Sequence, residues 1–168
     1  MTYSKWQFYS SKFFRNVMFK LTIFFSFMLS FSLFAQNSQS FNLTYDHQAL
    51  LVKNLERSSA FYKQILQLKE LDNITGLNFV RWFSTGSGTQ LHLIEGNTKD
   101  IVTNKGVHFA FSLSDLPGFM EFLDSREIKY VNYFGDKKEP NVRADGVKQI
   151  YIQDPDGYWI EINDAGKK

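Results

Sequence analysis

The sequence contains no cysteine at all, and its first acidic residue is Asp46. Without cysteine, structural disulfides, thiol catalysis and lipid attachment to a cysteine are excluded. Four of the 19 lysine and arginine residues precede Asp46, so residues 41–168 carry 15 positive side chains against 17 negative ones. This balance gives no indication of a basic binding surface, and we expect no nucleic-acid partner.

The segment from Met1 to Ala35 has the pattern of an export signal. A basic stretch ends at Lys20, and the run from Leu21 to Ala35 that follows contains no charged side chain. A helix needs about 20 apolar residues to cross a bilayer, so this run is short for a membrane span and typical of a signal-peptide core. The sequence predicts a signal peptide over residues 1–35, a polar linker over 36–42, and export to the periplasm or the cell exterior.

Two points about this N-terminal segment stay open. Translation starts at either Met1 or Met18, and an uncleaved segment would anchor the protein to the membrane instead of releasing it. In both cases we expect membrane contact only through this segment. Residues 43–164, which follow the linker, are enough for one domain with its own core.

The segment from Tyr45 to Glu95 has the pattern of one strand, one helix and three further strands. Apolar residues alternate with polar ones in the strand candidates and recur at helical spacing in the helix candidate. A Thr-Gly-Ser-Gly turn at residues 85–88 separates the last two strands. The predicted elements are a strand from Tyr45 to Val52, a helix from Glu56 to Leu68, and strands from Lys69 to Asn73, Leu77 to Phe83 and Thr89 to Glu95.

The same pattern recurs further along the chain at one constant spacing, which we call the module offset. Identical residues coincide at this offset: His47 with His108, Ala49 with Ala110, Leu55 with Leu116, and Phe61 with Phe122. Asp115 is placed to cap the second helix, with Pro117 in its first turn. The strands that follow run from Ile128 to Tyr133, Val147 to Gln153 and Tyr158 to Asn163, with an Asp-Pro-Asp-Gly turn at 154–157. The sequence therefore predicts an α+β fold of two βαβββ modules.

The chain has only three histidines, and all of them lie in predicted strands. Because side chains alternate along a strand, His92 faces away from its two leucine neighbours, which point toward the helix layer. Glu161 likewise faces away from its two isoleucine neighbours. The faces predicted in this way are Gln90, His92 and Ile94 in one strand, and Trp159, Glu161 and Asn163 in the other.

These residues resemble the vicinal oxygen chelate superfamily, which includes glyoxalase I, fosfomycin-resistance thiol transferases, extradiol dioxygenases and bleomycin-binding proteins. The resemblance covers residues 43–164 and rests on Asp46-His47, Phe61-Tyr62 through Leu68, Leu91-His92-Leu93, His108 to Phe111, and Asp154 to Ile162. It implies two modules that form a curled mixed sheet around a metal cleft. It also implies a homodimer, and metal ligands on the first and last strand of each module: His47, His92, His108 and Glu161.

The resemblance further implies the chemistry of the site. Imidazole and carboxylate ligands suit a divalent transition-type ion such as Zn, Ni, Fe, Co or Mn. Four ligands leave two adjacent places on an octahedral ion, which suits a small substrate that chelates through vicinal oxygens. Glu161 would be the general base of a proton-transfer isomerase or lyase similar to lactoylglutathione lyase. Arg81, Gln90 and Trp159 are candidate substrate contacts.

The chain also departs from the pattern of glyoxalase I. Leu51 stands where the bacterial enzymes have a glutathione-binding arginine, and Gly96 stands where asparagine is usual, so use of glutathione stays open. Arg143 and Lys148 are further candidates for binding an anionic substrate. Whether the ligands come from one subunit or from two also stays open.

Three alternative functions remain at this stage. The first is an extradiol dioxygenase that uses His47, His108 and Glu161 as an iron-binding triad. The second is a thiol transferase of the fosfomycin type. The third is a non-catalytic protein that binds a flat molecule, as bleomycin-resistance proteins do, through an aromatic wall of Trp82, Trp159, Tyr133 and Phe134.

Overall fold

The computed structural model describes Arg15, Met18, residues 41–135 and residues 138–167. All elements discussed below belong to the unit Tyr45–Lys168. The predicted signal peptide, apart from two of its residues, and most of the predicted linker lie outside the described residues. In the part of the chain that is described, no helix is both long and apolar enough to cross a membrane.

The first module is a four-stranded sheet with one helix. Its elements are β1 (His47–Val52), α1 (Leu55–Gln64), β2 (Lys69–Leu71), β3 (Val80–Gly86) and β4 (Thr89–Glu95). The strand order is β1-β4-β3-β2, in which β1 runs parallel to β4 and the other pairs are antiparallel. The hairpin between β3 and β4 turns at Ser87 and Gly88, where φ is +50° and +80°. Positive φ at both positions is typical of tight hairpin turns.

The second module repeats this arrangement. Its elements are β5 (His108–Ser112), α2 (Leu116–Ser125), β6 (Tyr130–Val131), β7 (Asn141–Val142), β8 (Lys148–Gln153) and β9 (Trp159–Asn163), followed by a 3-10 helix at Ala165–Lys167. The strand order is β5-β9-β8-β6, with β5 parallel to β9. The short strand β7 pairs with Lys148 and Gln149 at the start of β8. The α+β fold of two βαβββ modules is therefore confirmed, with one additional short strand.

Several predicted boundaries differ from the observed ones. The third strand begins at Val80 instead of Leu77, because the Asn73 amide donates hydrogen bonds to the carbonyls of Leu77 and Val80 at 2.6 and 3.1 Å and holds the intervening residues in a loop. The first helix ends at Gln64, before its predicted end at Leu68, and the strand predicted from Ile128 to Tyr133 keeps only two residues. β7 was not predicted, since two residues are too few to show alternation.

One hydrophobic core lies between the helices and one face of each sheet. Leu91 and Leu93 of β4 and Ile160 and Ile162 of β9 are at most 1% exposed and belong to this core, as strand alternation predicts. The same cluster includes residues of both helices, such as Tyr62 and Leu123. Since both modules bury apolar side chains in one cluster, we expect them to fold cooperatively.

The turn between β8 and β9 joins the second module to the first. Asp154 accepts hydrogen bonds from the buried Tyr62 hydroxyl at 2.9 Å and from the Asp156 and Tyr158 amides at 2.9 and 2.8 Å. Asp156 accepts from Ser58 of α1 and from the Lys53 amide, both at 2.7 Å. The two carboxylates of the turn therefore bond to the start of the first module as well as shaping their own loop.

Candidate metal site

The predicted ligands occupy the same register in both sheets. His47 is paired with Gln90 across the parallel strands, and two residues later Ala49 is paired with His92. In the second module His108 is paired with Trp159, and Ala110 with Glu161. All four ligand candidates lie on the sheet face opposite the core, which we call the ligand face. Each last-strand ligand is paired with an alanine, Ala49 for His92 and Ala110 for Glu161. The small alanine side chain leaves room for the ligand's side chain to approach the first-strand histidine of the same module.

In the first module the two histidines are stacked. The rings of His47 and His92 are 4.3 Å apart and inclined by 15°, and the Trp82 ring lies 4.4 Å from His92 on its other side. His92 Nε2 lies 2.8 Å from Gln90 Oε1, and His47 Nδ1 lies 2.5 Å from Asp46 Oδ2. A proton on each of these nitrogens leaves the other ring nitrogen with a free lone pair, as a metal ligand requires.

The surroundings of His92 favour its neutral form. Burial lowers the pKa of His92, and the neighbouring His47 lowers it further, while Asp46 acts in the opposite direction. The imidazole of His92 is therefore neutral at neutral pH. Neutral imidazole is the form that binds metals, so no proton has to be removed from it on binding.

In the second module the pair is a histidine and a carboxylate. His108 Nε2 lies 3.2 Å from Glu161 Oε2, and His108 Nδ1 lies 2.8 Å from the Lys105 carbonyl oxygen. Because a carbonyl can only accept, Nδ1 carries a proton and Nε2 is directed toward the carboxylate. The side chain of Glu161 is only 6% exposed, against 43% for His47 of the first pair.

Glu161 is held by several hydrogen-bond donors. The Tyr151 hydroxyl donates to Oε2 at 2.7 Å, and the Asn163 amide and Arg143 donate to Oε1 at 2.7 and 3.3 Å. With its amide nitrogen turned toward the carboxylate, Gln149 donates to both oxygens at 3.1 and 3.2 Å. Donors of this number compensate for the burial of a charged carboxylate.

Tyr151 is the donor whose position stands out. It is paired directly with Glu161 across β8 and β9, and its ring lies edge-on to His108 at 5.2 Å. Burial raises the pKa of Tyr151, and the hydrogen bond to Glu161 raises it further. The phenol therefore stays protonated at neutral pH and acts as a donor to the carboxylate.

The two pairs do not form one group within a single chain. Three imidazoles and a carboxylate have the donor chemistry of a divalent transition-type site. Among the residues that the structure describes, however, no three His, Asp or Glu side chains lie close enough together to hold one ion. The chain thus presents two half-sites, His47 with His92 and His108 with Glu161, and their assignment as metal ligands stays a prediction.

Of the predicted substrate contacts, Arg81 lies apart from both ligand pairs. It is paired with Leu93 and so lies on the core side of the sheet, where its guanidinium donates to Glu70 at 2.8 Å and to Glu56 of α1. Adjacent strand residues face opposite ways, so the ligand face is occupied by Trp82 instead. Arg81 holds the helix against the sheet and is not available at the histidine pair.

Gln90 and Trp159 do lie on the ligand face. Gln90 is paired with His47 and contacts His92, whereas Trp159 is paired with His108 and carries the Lys105 ammonium 4.9 Å above its ring. Their contact with a substrate stays a prediction. Of the other residues of the predicted aromatic wall, Trp82 stacks on His92, and Tyr133 lies 5.9 Å from Tyr151 next to Phe134.

Tyr151 and Gln149 were not predicted from the sequence as part of the site. Alternation along β8 puts both side chains on one face, so the face could be predicted from the sequence. The register between β8 and β9 could not be predicted, because it depends on the loop geometry around Asp154. This register sets Tyr151 opposite Glu161.

Comparisons with known proteins agree with this architecture. The family model described as "Glyoxalase/Bleomycin resistance protein/Dioxygenase superfamily" matches residues 44–162. An uncharacterized protein of Bacillus subtilis (strain 168), YwbC, is 28% identical over 123 residues, which are 70% of this chain and 94% of YwbC. "Glyoxylase I 4" of Arabidopsis thaliana is 25% identical over 123 residues, 70% of this chain and 68% of that protein.

Solved structures share the same fold. The fosfomycin resistance protein FosX from Listeria monocytogenes superposes with a TM-score of 0.57 and 19% sequence identity, over 73% of this chain and 93% of FosX. At this level of identity the similarity concerns the fold alone.

Proposed function

Because the chain belongs to the Glyoxalase/Bleomycin resistance protein/Dioxygenase superfamily, we propose that it is a metal-dependent enzyme acting on a small substrate that chelates the metal through vicinal oxygens. The proposed reaction is a proton transfer of isomerase or lyase type, in keeping with the relative named Glyoxylase I 4. The observation that carries this proposal is the equivalent placement of two ligand pairs on the first and last strands of the two modules.

The proposed metal site is shared between two copies of the chain. His47 and His92 of one copy would face His108 and Glu161 of the partner, and a two-fold dimer would contain two such sites. This arrangement is supported by the separation of the two pairs within one chain, since neither pair alone supplies the three or four ligands of a stable site. Either half-site is already oriented by its own hydrogen bonds.

Glu161 is the proposed general base. When bound, a divalent ion would hold two substrate oxygens and stabilise the negative charge that develops on them. Glu161 Oε2, which lies beside His108, would take the proton from the hydroxyl-bearing substrate carbon and return it to the neighbouring carbon, while the hydroxyl proton passes to the former carbonyl oxygen, so that the hydroxyl and carbonyl groups exchange places. Asn163 and Arg143 bind the other oxygen, Oε1, and so keep the carboxylate oriented during the transfer.

The proposed base and the metal are tested by one variant and its control. Glu161→Gln should abolish turnover of hemithioacetal or hydroxycarbonyl substrates, while these substrates still bind. Arg81→Gln, on the opposite sheet face, is the control and should leave turnover and substrate binding unchanged. Protein purified without chelator should contain about one divalent ion per chain by elemental analysis. Unchanged turnover in Glu161→Gln would overturn the assignment of the base, and metal-free wild-type protein would overturn the metal-dependent function.

The shared site is tested by mixing two defective variants. His92→Ala removes a ligand from the first half-site and His108→Ala removes one from the second. In a mixed dimer, one of the two shared sites combines the two intact halves. Refolding an equal mixture should therefore restore the full four-ligand site, and with it the wild-type metal affinity, at about a quarter of the sites, whereas every site of either variant alone keeps only three ligands and binds metal more weakly. If all ligands came from one chain, mixing would restore nothing.

An extradiol-type dioxygenase is the second candidate. The stacking of His92 between Trp82 and His47, with its Nε2 at Gln90, favours a structural role for that ring and would leave His47, His108 and Glu161 as the ligands. Anaerobic purification followed by oxygen-uptake assays with catechols separates the two functions. Bound iron together with catechol-dependent oxygen uptake would support the dioxygenase. Bound metal without any oxygen uptake would support the proton-transfer enzyme.

We also propose that the protein is exported. The support is the uncharged run from Leu21 to Ala35 behind a basic stretch. Expression from the native start and mass determination of the mature N-terminus should show cleavage after Ala35. A mature protein that retains this segment in the membrane fraction would instead support the uncleaved anchor.

A further inference from the structure

A cavity of about 420 Å³ lies on the ligand face of the second module. Its walls include Val131 of β6, Tyr151 and Gln153 of β8, and Trp159 of β9, with Ile128 at the outer edge of the sheet. The exposed Glu127 and Lys129 complete the lining. Pockets of this volume bind small organic molecules in many proteins.

The cavity adjoins the Glu161 cluster, with which it shares Tyr151. Trp159 precedes Glu161 by two residues on the same strand, so their side chains share a face and stand about 7 Å apart. Tyr151 belongs to both, because its ring lines the cavity while its hydroxyl binds Glu161 Oε2 at 2.7 Å. A molecule held at His108 and Glu161 would therefore reach the cavity with a substituent about one ring in length.

The lining indicates what kind of group fits. Two aromatic side chains, Trp159 and Tyr151, form its walls together with the aliphatic side chains of Val131 and Ile128. The amide of Gln153 donates to the Gly157 carbonyl at 3.0 Å, so this polar group is already bonded within the protein. Aromatic walls favour a flat ring over a small hydrated group, and the charged side chains at the site, Glu127 and Lys129 of the lining and Lys105 beside the Trp159 ring, add polar contacts at its edges.

We propose that this cavity binds an aromatic ring of the substrate, which makes the substrate an aryl-substituted hydroxycarbonyl compound. The inference rests on the proposed function in one respect, namely that the chelating oxygens lie at the His108 and Glu161 half-site. The ring selects the substrate, and the chelating oxygens place the reacting carbon beside Glu161. Without the ring, a chelating molecule would lose the apolar contacts with Trp159 and Tyr151.

The cavity is tested first without metal, so that the result does not depend on the proposed function. Binding of para-fluorophenylacetate and of fluoroacetate is measured by fluorine NMR in the presence of a chelator. We expect the aryl probe to bind at least about tenfold more tightly than fluoroacetate, because only the aryl probe buries a ring. Equal binding of the two probes would overturn the proposal.

Variants locate the bound ring. Val131→Trp should fill the cavity and weaken binding of the aryl probe at least about tenfold, whereas Leu71→Trp changes the equivalent position in the first module and should have no effect. Val131 is 4% exposed, so circular dichroism must show that the variant is folded. Trp159→Leu removes a wall without adding volume and should also weaken binding. Aryl binding that none of these variants changes would overturn the site.

The second arm adds zinc and replaces the probe with para-fluorophenyllactate, which combines the ring with vicinal oxygens. Binding should then tighten with metal, and lactate should compete at least about tenfold more weakly. No tightening with zinc, together with intact aryl binding, would contradict the metal-dependent function and leave the cavity assignment standing. Equal competition by lactate would contradict the role of the ring.

Discussion

The two modules place their ligand pairs in the same register but surround them differently. In both, a first-strand histidine lies two residues before an alanine, and that alanine is paired with the last-strand ligand. In the first pair His92 is stacked between His47 and Trp82, whereas in the second pair Glu161 is buried and held by hydrogen bonds while His108 stays partly exposed. The backbone fixes where the ligands lie, and the neighbouring side chains fix their chemistry.

A single position accounts for much of this difference. Trp82 is paired with His92 in the first module, and Tyr151 is paired with Glu161 in the second. Trp82 offers a flat face to an imidazole, while Tyr151 offers a hydroxyl to a carboxylate. Under the proposed function the first module would supply neutral ligands and the second would supply the negative charge and the base.

The largest loss of stability is expected from substitutions in the core, where the two modules are most alike. Leu93 and Ile162 follow the last-strand ligands at equivalent positions and are 0% and 1% exposed. Leu93→Ala and Ile162→Ala should each lower the free energy of unfolding by about 2–5 kcal/mol, from lost burial and the cavity that remains. Urea titration followed by circular dichroism should show one transition for both. Two separate transitions in either variant would contradict a shared core.

A smaller effect is expected where the helices differ. Tyr62 of α1 corresponds to Leu123 of α2 at the module offset, and only Tyr62 has a hydroxyl, which bonds to Asp154. Tyr62→Phe should cost about 1.5–3 kcal/mol at neutral pH, as expected for a hydrogen bond to a charged group. The loss can be measured by urea titration across a range of pH.

The pH dependence of this loss has a definite sign. Burial raises the pKa of Asp154, and the Tyr62 hydrogen bond lowers it. A raised carboxyl pKa means that the folded state holds its proton longer than the unfolded chain, so stability falls as pH rises from about 4 through the folded pKa. Without the Tyr62 donor the folded pKa is higher still, so the fall is larger and extends to higher pH, and the difference from wild type should widen up to neutral pH. Tyr158→Phe, whose hydroxyl bonds to the Leu51 carbonyl, is the control and should give a pH-independent loss.

The sequence was sufficient for the repeated pattern and for the faces of the ligand strands. Periodicity and the module offset predicted both modules, and alternation predicted that Leu93 and Ile162 would be buried. Asp115 was correctly predicted to cap α2, where it accepts from the Gly118 amide at 3.0 Å. These features depend on local spacing, which a sequence displays directly.

What the sequence could not provide was the geometry between strands and between modules. Arg81 was a candidate because it lies in a predicted strand between Phe79 and Phe83, and its ion pairs with Glu56 and Glu70 depend on how the helix packs on the sheet. The hydrogen bond from Tyr151 to Glu161 depends on strand register, and the separation of the ligand pairs depends on how the modules pack. Spacing along the chain contains neither quantity.

Replacing the two residues that make the pairs differ should affect zinc binding unequally. Tyr151→Phe removes the hydroxyl that holds Glu161, and under the proposed function it should weaken zinc binding about tenfold, as is usual when a ligand loses its hydrogen-bonding partner. Trp82→Phe keeps a ring beside His92 and should change zinc affinity much less. Calorimetric titration measures both affinities, and the absorption bands of bound cobalt report whether the ligand geometry has changed. Equal effects of the two variants would show that the hydroxyl has no special role.

The smallest expected effect concerns the helix caps, where the modules should behave alike. Asn54 accepts from the Arg57 amide at 2.8 Å and Asp115 accepts from the Gly118 amide at 3.0 Å, and the module offset relates the two caps as well. Asn54→Ala and Asp115→Ala should each cost about 1 kcal/mol, the usual value for a lost side-chain cap. Thermal unfolding of both variants checks this. A much larger loss for Asn54→Ala would mean that this cap also orients the first turn of the helix for the hydrogen bond from Ser58 to Asp156 of the second module.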